Sequence, residues 1–328
     1  MKAGHQPLVL AIDLGGAKII AAIVSHHGQI MAKDYSLTLA DEGVEAVTGR
    51  VFLAIDRLLK LKDIAPPQLH SISIAAAGAI DLERGRVTSS PNLPGWHDIP
   101  LRDIVSSKYR VNTILINDAN AAALGEHQLG AGKGVNNLIL ITVGTGIGGG
   151  IIASGRLYTG TIGSAGEVGH MTIDVNGPRC SCGNIGCWEV LASGTAMARE
   201  AINRISHGER SILTKMVEGK IEKITAETVE AAAREGDSLA LGVISQVATY
   251  LGVGMVNLVN IFNPEMIIVG GGMAKMGELL LEPARQVVRE RAFKVAAEVV
   301  RIVPAQLGED AGVLGAAVFA LSLTASRG

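Results

Sequence analysis

A chain of 328 residues, 48% hydrophobic and 18% charged, is a well-buried globular protein long enough for two lobes rather than one core. A net charge of −2 and no basic run leave no electrostatic footprint for nucleic acid. Asp13 and Lys18 break any apolar core that a signal peptide would need, so a soluble, cytoplasmic protein with no membrane partner is expected.

Taken in chain order, residues 8–24 (LVLAIDLGGAKIIAAIV) predict a strand, a tight glycine turn and a second strand. A third strand follows near 29–37, then a helix from about Asp41 to Lys60. Pro66-Pro67 break the chain before a strand at 69–74. Val111 to Ile116 predict a strand that ends in Asn117-Asp118 and an alanine-rich helix. Residues 138–153 (LILITVGTGIGGGIIA) resemble 8–24 as a second strand–turn–strand unit. Helices are expected near 188–205, 226–235 and 238–262, a strand at 266–269, and a final helix from about Asp310 that returns to the first half.

Two stretches, 134–155 and 238–264, carry no charge. The first holds too many glycines for a continuous helix. In the second, apolar residues recur every fourth position but Gln246, Asn257 and Asn260 interrupt them, which predicts a buried helix rather than a membrane span. Strands in a meander followed by alternating helices and strands predict an α/β fold with a mixed sheet covered on both faces. The repeated unit predicts two similarly folded lobes facing across a cleft.

The turns at Gly15-Gly16 and Gly144 to Gly150 can aim backbone N–H groups at an anion, or serve as ordinary hairpin turns. Neither contains the Gly-Lys-Ser/Thr of a Walker loop, and neither opens a helix as a dinucleotide fingerprint does. Asp13, beside the first turn, can hold hydrated Mg²⁺ against nucleotide phosphates or accept hydrogen bonds within the turn. Lys18 can reach phosphate or stand as an exposed strand lysine. Asp118 fits both a helix N-cap and a general base at the carboxyl end of a strand. Gly270-Gly271-Gly272 would let a flat nucleoside approach the backbone.

All three cysteines, Cys180, Cys182 and Cys187, fall within eight positions, ten residues after His170. Cysteines two apart bridge poorly and an odd count leaves a loose thiol, so a disulfide pair is disfavoured. Three thiolates and an imidazole make a closed tetrahedral shell for a structural zinc ion. Glu167 and Glu189 bracket that shell, where a pinned loop can hold carboxylates at fixed places for hydroxyl groups.

Together AIDLGGAK at 11–18, INDANAAALGE at 116–126, TVGTGIGGG at 142–150, GEVGH at 166–170, CSCGNIGCWE at 180–189 and VGGG at 269–272 resemble the ROK family of sugar kinases and sugar-responsive repressors. The resemblance spans essentially the whole chain. It implies the two-lobed, actin-like (ribonuclease H-like) ATPase fold, with one lobe of residues 1–117 plus about 305–328 and the other of 118–304. It implies Asp118 as catalytic base, and Asn92, Asn117, Asp118, Glu167, His170 and Glu189 on the sugar hydroxyls. Asp13, Gly15, Gly16, Ala17 and Lys18 would serve phosphate and Mg²⁺, with Gly144, Thr145, Gly146, Gly148 and Gly149 as a second phosphate segment. Gly270, Gly271 and Gly272 would line the adenosine site, and zinc would sit on His170, Cys180, Cys182 and Cys187.

The resemblance thus implies an ATP-dependent hexose kinase, with glucose the expected acceptor at its 6-hydroxyl, and a homodimer. N-acetylmannosamine is the competing acceptor, and polyphosphate a competing donor. A sugar-sensing regulator is the alternative of another class, but the first glycine strand begins near Leu8, leaving no room ahead of it for a DNA-binding domain. One departure is Ala17, where the family motif carries threonine; one hydroxyl near the phosphates is lost, and a modestly weaker nucleotide grip is expected.

Overall fold

The computed structural model describes residues 7–325. β1 (Leu8–Leu14), β2 (Lys18–Ser25) and β3 (Ile30–Leu37) form an antiparallel meander, and β4 (Ser71–Ala76) runs parallel to β1. β5 (Ala79–Asp81), β6 (Arg86–Ser89) and β7 (His97–Ile99) make a small antiparallel sheet that the sequence did not predict. β8 (Thr113–Asn117) then pairs parallel with β4, giving the order β3-β2-β1-β4-β8. β1 and β2 are buried almost throughout, because the helices Gly43–Lys62 and Ala311–Ala325 pack on this sheet.

A second five-stranded sheet holds β9 (Leu138–Val143), β10 (Ile147–Ala153), β11 (Arg156–Leu157), β12 (Met266–Gly270) and β13 (Arg301–Pro304), in the order β11-β10-β9-β12-β13. The same arrangement recurs: a hairpin edge, then two strands added in parallel. The repeat seen in residues 8–24 and 138–153 therefore extends to whole sheets, and the fold is mixed α/β. The short β13 carries too little alternation to be read from sequence.

Packing divides the chain into two compact units, residues 1–134 with 150–166 and 306–328, and residues 135–149 with 167–305. The first and last few residues of the first unit, 1–6 and 326–328, lie outside the described residues. The helix Asp118–Leu129 falls in the first unit, whereas the sequence-based division places it in the second. Its small residues explain this. A Cβ at Gly125 would lie 2.5 Å from the Ala311 carbonyl, and one at Gly315 would collide with that of Ala121, so the two helices cross with backbones nearly touching. The alanines around Gly125 in the first helix, and around Gly312 and Gly315 in the second, make that approach possible.

The helix expected over 188–205 is two helices, Trp188–Ala192 and Gly194–Ser206. Ser193 between them is extended (φ −87°, ψ 172°), and its side chain caps the second by accepting from the Ala196 amide. The 25-residue helix Ser238–Phe262 is long and apolar enough to cross a membrane, yet 61% of its most apolar window is buried. It packs on the helix Glu278–Arg291, where a Cβ at Gly252 would sit 2.6 Å from that of Val287. At Gly254 the Trp188 ring takes the space of a side chain, and the Trp188 indole donates to the Tyr250 carbonyl at 2.9 Å.

Glu126 is fully buried on the helix Asp118–Leu129, where backbone amides satisfy its carboxylate. Its Oε1 accepts from the amides of Gln306 (2.9 Å) and Leu307 (2.7 Å), and its Oε2 from Ala131 (2.8 Å). One carboxylate thus ties the helix end to the segment that leads into Ala311–Ala325. Glu126→Ala would leave three amides without their acceptor and is expected to cost ~3 kcal/mol or more, given ~1–3 kcal/mol per unsatisfied buried group. Glu126→Gln, with one acceptor oxygen, should lose less. A thermal melt with an unchanged midpoint for the alanine variant would refute the role.

Candidate active site

In the first unit the motif residues gather at the carboxyl ends of β1 and β8. Gly15 to Lys18 make the β1–β2 turn, closed by the Gly15 amide on the Lys18 carbonyl at 3.0 Å. Thr38 pins it from outside: its hydroxyl donates to the Gly15 carbonyl at 2.7 Å and its amide to the Ala17 carbonyl at 3.0 Å. A Cβ at Gly16 would stand 2.7 Å from the Asn92 carbonyl, so the turn lies directly against Asn92. That proximity unites two motifs 76 residues apart (92 − 16), which spacing alone could not show. The Ala17 methyl faces solvent, and Lys18 makes an ion pair with Glu309 at 3.1 Å.

Asn117 and Asp118 divide the two roles open at this position. Asn117 is the N-cap: its Oδ1 accepts from the Asn120 amide at 3.0 Å, while its Nδ2 donates to the Gly78 carbonyl at 3.0 Å and to Asp118 Oδ1 at 3.1 Å. Asp118 is the first helical residue, and its Oδ1 also accepts from the Ala119 amide at 2.8 Å. The carboxylate is therefore held in one orientation at a strand end, where α/β sheets open to ligands.

Asp13 is only partly buried as a residue, but protein surrounds its carboxyl group. That desolvation, helped by the nearby Asp118 charge and opposed by Lys18, raises it from an ordinary 3.8 to about 7. The carboxylate packs against Gly312, at the start of the helix Ala311–Ala325, where a side chain would collide with it. Two acidic groups held together in a partly desolvated place attract a cation, which is what a phosphate-bound Mg²⁺ site requires.

In the second unit the predicted residues converge on Ile147. The Ile147 amide donates to Glu189 Oε2 at 2.9 Å, and that carboxylate occupies the place of any side chain at Gly146. The turn Val168–His170 packs against the Ile147 carbonyl through Gly169, which carries Glu167 and His170 to the same end of β10. Glu189 is half-buried, whereas Glu167 is exposed. β12 ends beside β9 with Gly270 opposite Thr142, and Gly271 (φ +84°) is pressed against Val143 too closely for any side chain. The Gly144–Gly149 and Gly270–Gly272 segments are therefore neighbours. Thr38, Thr195 and Gly312 carry no motif of their own, and only the capping serine before Gly194-Thr195 hinted at the second of them.

His170, Cys180, Cys182 and Cys187 bring their ligand atoms within 4.8 Å of one another. The Cys182 and Cys187 sulfurs are 3.7 Å apart, as are the Cys180 sulfur and His170 Nδ1. A tetrahedron of zinc–sulfur bonds has edges of about 3.8 Å, so the spacing fits zinc. It is far too long for a disulfide, and all three cysteines are free. Burial, with the other two sulfurs adding, pushes the Cys187 thiol up to about 12, a conflict that a bound cation removes by taking thiolates as ligands. The loop is braced by the Cys180 amide on the Asn184 carbonyl at 2.8 Å, and by Gly186 (φ +65°), whose missing side chain admits the Asp174 carbonyl.

Elemental analysis of purified protein should find about one zinc per chain. Cys182→Ser should lose the metal together with thermal stability; a metal-free wild type of unchanged stability would overturn the assignment. Asp13 gives a pH prediction. Its folded value is raised, so between pH 4 and 7 the folded state keeps a proton that the unfolded chain releases, and stability falls as pH rises. In nucleotide-free protein Asp13→Asn should therefore be more stable than wild type by ~1–3 kcal/mol at pH 8, with the gain vanishing near pH 4. Equal melting differences at both pH values would refute the raised value.

Residues 9–322 match the ROK family. The chain is 38% identical over 309 residues to a glucokinase of Thermotoga maritima, covering 94% of this chain and 96% of the relative. It is 36% identical to a xylose repressor of Caldicellulosiruptor bescii, covering 98% of this chain and 82% of the repressor. Among solved structures, a Streptomyces griseus ROK family glucokinase in complex with glucose and AMPPNP is similar at a TM-score of 0.84 and 35% identity, over 95% of this chain and 98% of that one. With the motifs, the repeated sheets and the Cys/His cluster in place, the chain belongs to the ROK family.

Proposed function

We propose that the protein is an ATP-dependent sugar kinase that phosphorylates a hexose at its 6-hydroxyl, with glucose the preferred acceptor. The observation that carries this reading is Asp118, a carboxylate held by Asn117 and the Ala119 amide at the end of β8, in a chain 38% identical to a glucokinase. Asp118 is the general base: it takes the proton of the 6-hydroxyl as that oxygen bonds to the γ-phosphorus and the bond from phosphorus to ADP breaks. In such transfers positioning and charge stabilisation contribute most of the acceleration.

The turn Gly15 to Lys18 and the segment Gly144 to Gly149 present backbone amides to the phosphates, and Gly270 to Gly272 receive the nucleoside. Asp13 is the group to hold nucleotide-bound Mg²⁺, which would offset phosphate charge. Asn92, Asn117, Glu167, His170 and Glu189 orient the sugar hydroxyls. His170 turns Nδ1 to the sulfurs, so its Nε2 remains for a hydroxyl. The zinc set His170, Cys180, Cys182 and Cys187 has no part in the chemistry; a closed shell leaves no position for a reacting water.

Glucose is favoured because Glu189 and His170 both sit rigidly on the metal-braced loop, suited to pairing with small hydroxyls. An acetamido group would leave one acceptor poorly matched, at ~1–3 kcal/mol. The likeness to xylose repressors supports a second reading, a sugar-sensing regulator.

A coupled assay of ADP release separates these readings. Turnover with glucose exceeding that with N-acetylmannosamine supports the assignment, and the reverse ratio moves the acceptor while leaving a kinase. Sugar binding without ADP release from any hexose would favour the regulator. Asp118→Asn should retain sugar binding but lower kcat by ~10²- to 10⁴-fold, the usual contribution of a positioned base. Near-normal turnover would reduce Asp118 to a structural residue.

A further inference from the structure

The Gly144–Gly149 turn is fastened along its length by one segment, which starts at Cys187 of the Cys/His cluster. Glu189 Oε2 accepts from the Ile147 amide at 2.9 Å. The Gly194 amide donates to the Gly144 carbonyl at 2.7 Å, and the Thr195 hydroxyl donates to the Thr145 carbonyl at 2.8 Å. Within the turn, the Gly144 amide donates to the Gly146 carbonyl at 2.9 Å.

These bonds have a directional consequence. A trans peptide is planar, with its carbonyl and N–H on opposite sides. The Gly144 carbonyl shares a peptide with the Thr145 amide, and the Thr145 carbonyl shares one with the Gly146 amide. Because Gly194 and Thr195 draw both carbonyls toward the start of the helix Gly194–Ser206, the amides of Thr145 and Gly146 are turned away from that helix. Glu189 meanwhile takes the Ile147 amide, the next donor along, and its carboxylate lies against Gly146, where no other residue fits. Two adjacent donors turned the same way form a concave anion site of the kind that phosphates occupy.

We propose that Glu189 and Thr195 are positioning residues for the nucleotide phosphates: they hold the turn so that the Thr145 and Gly146 amides face the anion. The proposal rests on the kinase reading. It gives Glu189 a second duty beside the sugar, with one carboxylate oxygen committed to the phosphate turn. It also makes the metal-cluster segment a support of the nucleotide site, joined to it through only two residues, Trp188 and Glu189. Thr195 does not need to touch the nucleotide for this.

The test uses the full-length protein and two separate titrations: ATP binding without sugar, and glucose binding without nucleotide. Thr195→Val keeps the side-chain shape and removes the donor. It should weaken ATP binding by about 5- to 10-fold, the loss of one net hydrogen bond, with glucose affinity unchanged. Thr195→Ser, which restores the hydroxyl, should bind ATP as wild type does. In nucleotide-free Thr195→Val, amide exchange over residues 143–149 should be faster, a change that loss of a direct nucleotide contact would not produce. Glu189→Ala should weaken ATP as well as glucose, whereas Glu189→Gln, which retains an acceptor for the Ile147 amide, should recover most of the ATP affinity.

Unchanged ATP affinity and exchange in Thr195→Val would overturn the proposal. So would equal losses of ATP and glucose together with a lowered melting temperature, because they mark general destabilisation. Wild-type protein that binds glucose but no ATP would instead overturn the kinase reading on which the proposal stands.

Discussion

The convergence of His170, Cys180, Cys182 and Cys187 is the constraint on which most of the second unit's site depends. Their spacing suits a tetrahedral ion, and the backbone between them is turned so tightly that Gly186 must yield its side-chain space to the Asp174 carbonyl. Cys187 is followed immediately by Trp188, which is buried against Gly254 of the long helix Ser238–Phe262. The loop is thus pinned at one end by the ligand cluster and at the other by an indole in the core. Glu189 comes next, so its carboxylate emerges from a stretch with little freedom left. A polar group aimed from such a base loses little conformational entropy when it engages a ligand.

The carboxylates show how environment separates roles among chemically similar side chains. Glu126 is wholly buried but accepts three backbone amides, and so acts as a structural tie. Asp13 is governed by its surroundings instead: desolvation and the Asp118 charge push it up to about 7. A carboxylate left in that state stabilises the fold less than a neutral residue would, a cost commonly found where a protein keeps a group for chemistry. Asp118 stands between these cases, with one oxygen occupied by two donors that fix its direction.

Close approach, more than backbone freedom, accounts for many of the glycines. Gly16 admits Asn92, Gly146 admits Glu189, Gly125 and Gly315 admit a crossing helix, and Gly254 admits Trp188. None of these five has a positive φ. A glycine-rich turn in the sequence can be a phosphate cradle or a simple hairpin. The structure shows a third reason for it, that a second segment of chain lies where the side chain would have been.

The sequence by itself determined the α/β class, the strand–turn–strand repeat, the zinc-type cluster and the motifs that identify the family. Each of these lives in local spacing or in periodicity, which the order of residues records directly. Tertiary structure alone decided that Asn117, not Asp118, caps the helix, because that depends on which side chain reaches the Asn120 amide. It decided that Asp118–Leu129 packs within the first unit, because small residues on two helices nearly 200 positions apart had to meet. It broke the expected helix 188–205 at Ser193, and so set Gly194 and Thr195 against the Gly144–Gly149 turn. It placed Glu189 on the Ile147 amide, a contact across 42 residues. Contacts of that separation leave no period in a single chain's sequence; they exist only once the sheets and helices have packed.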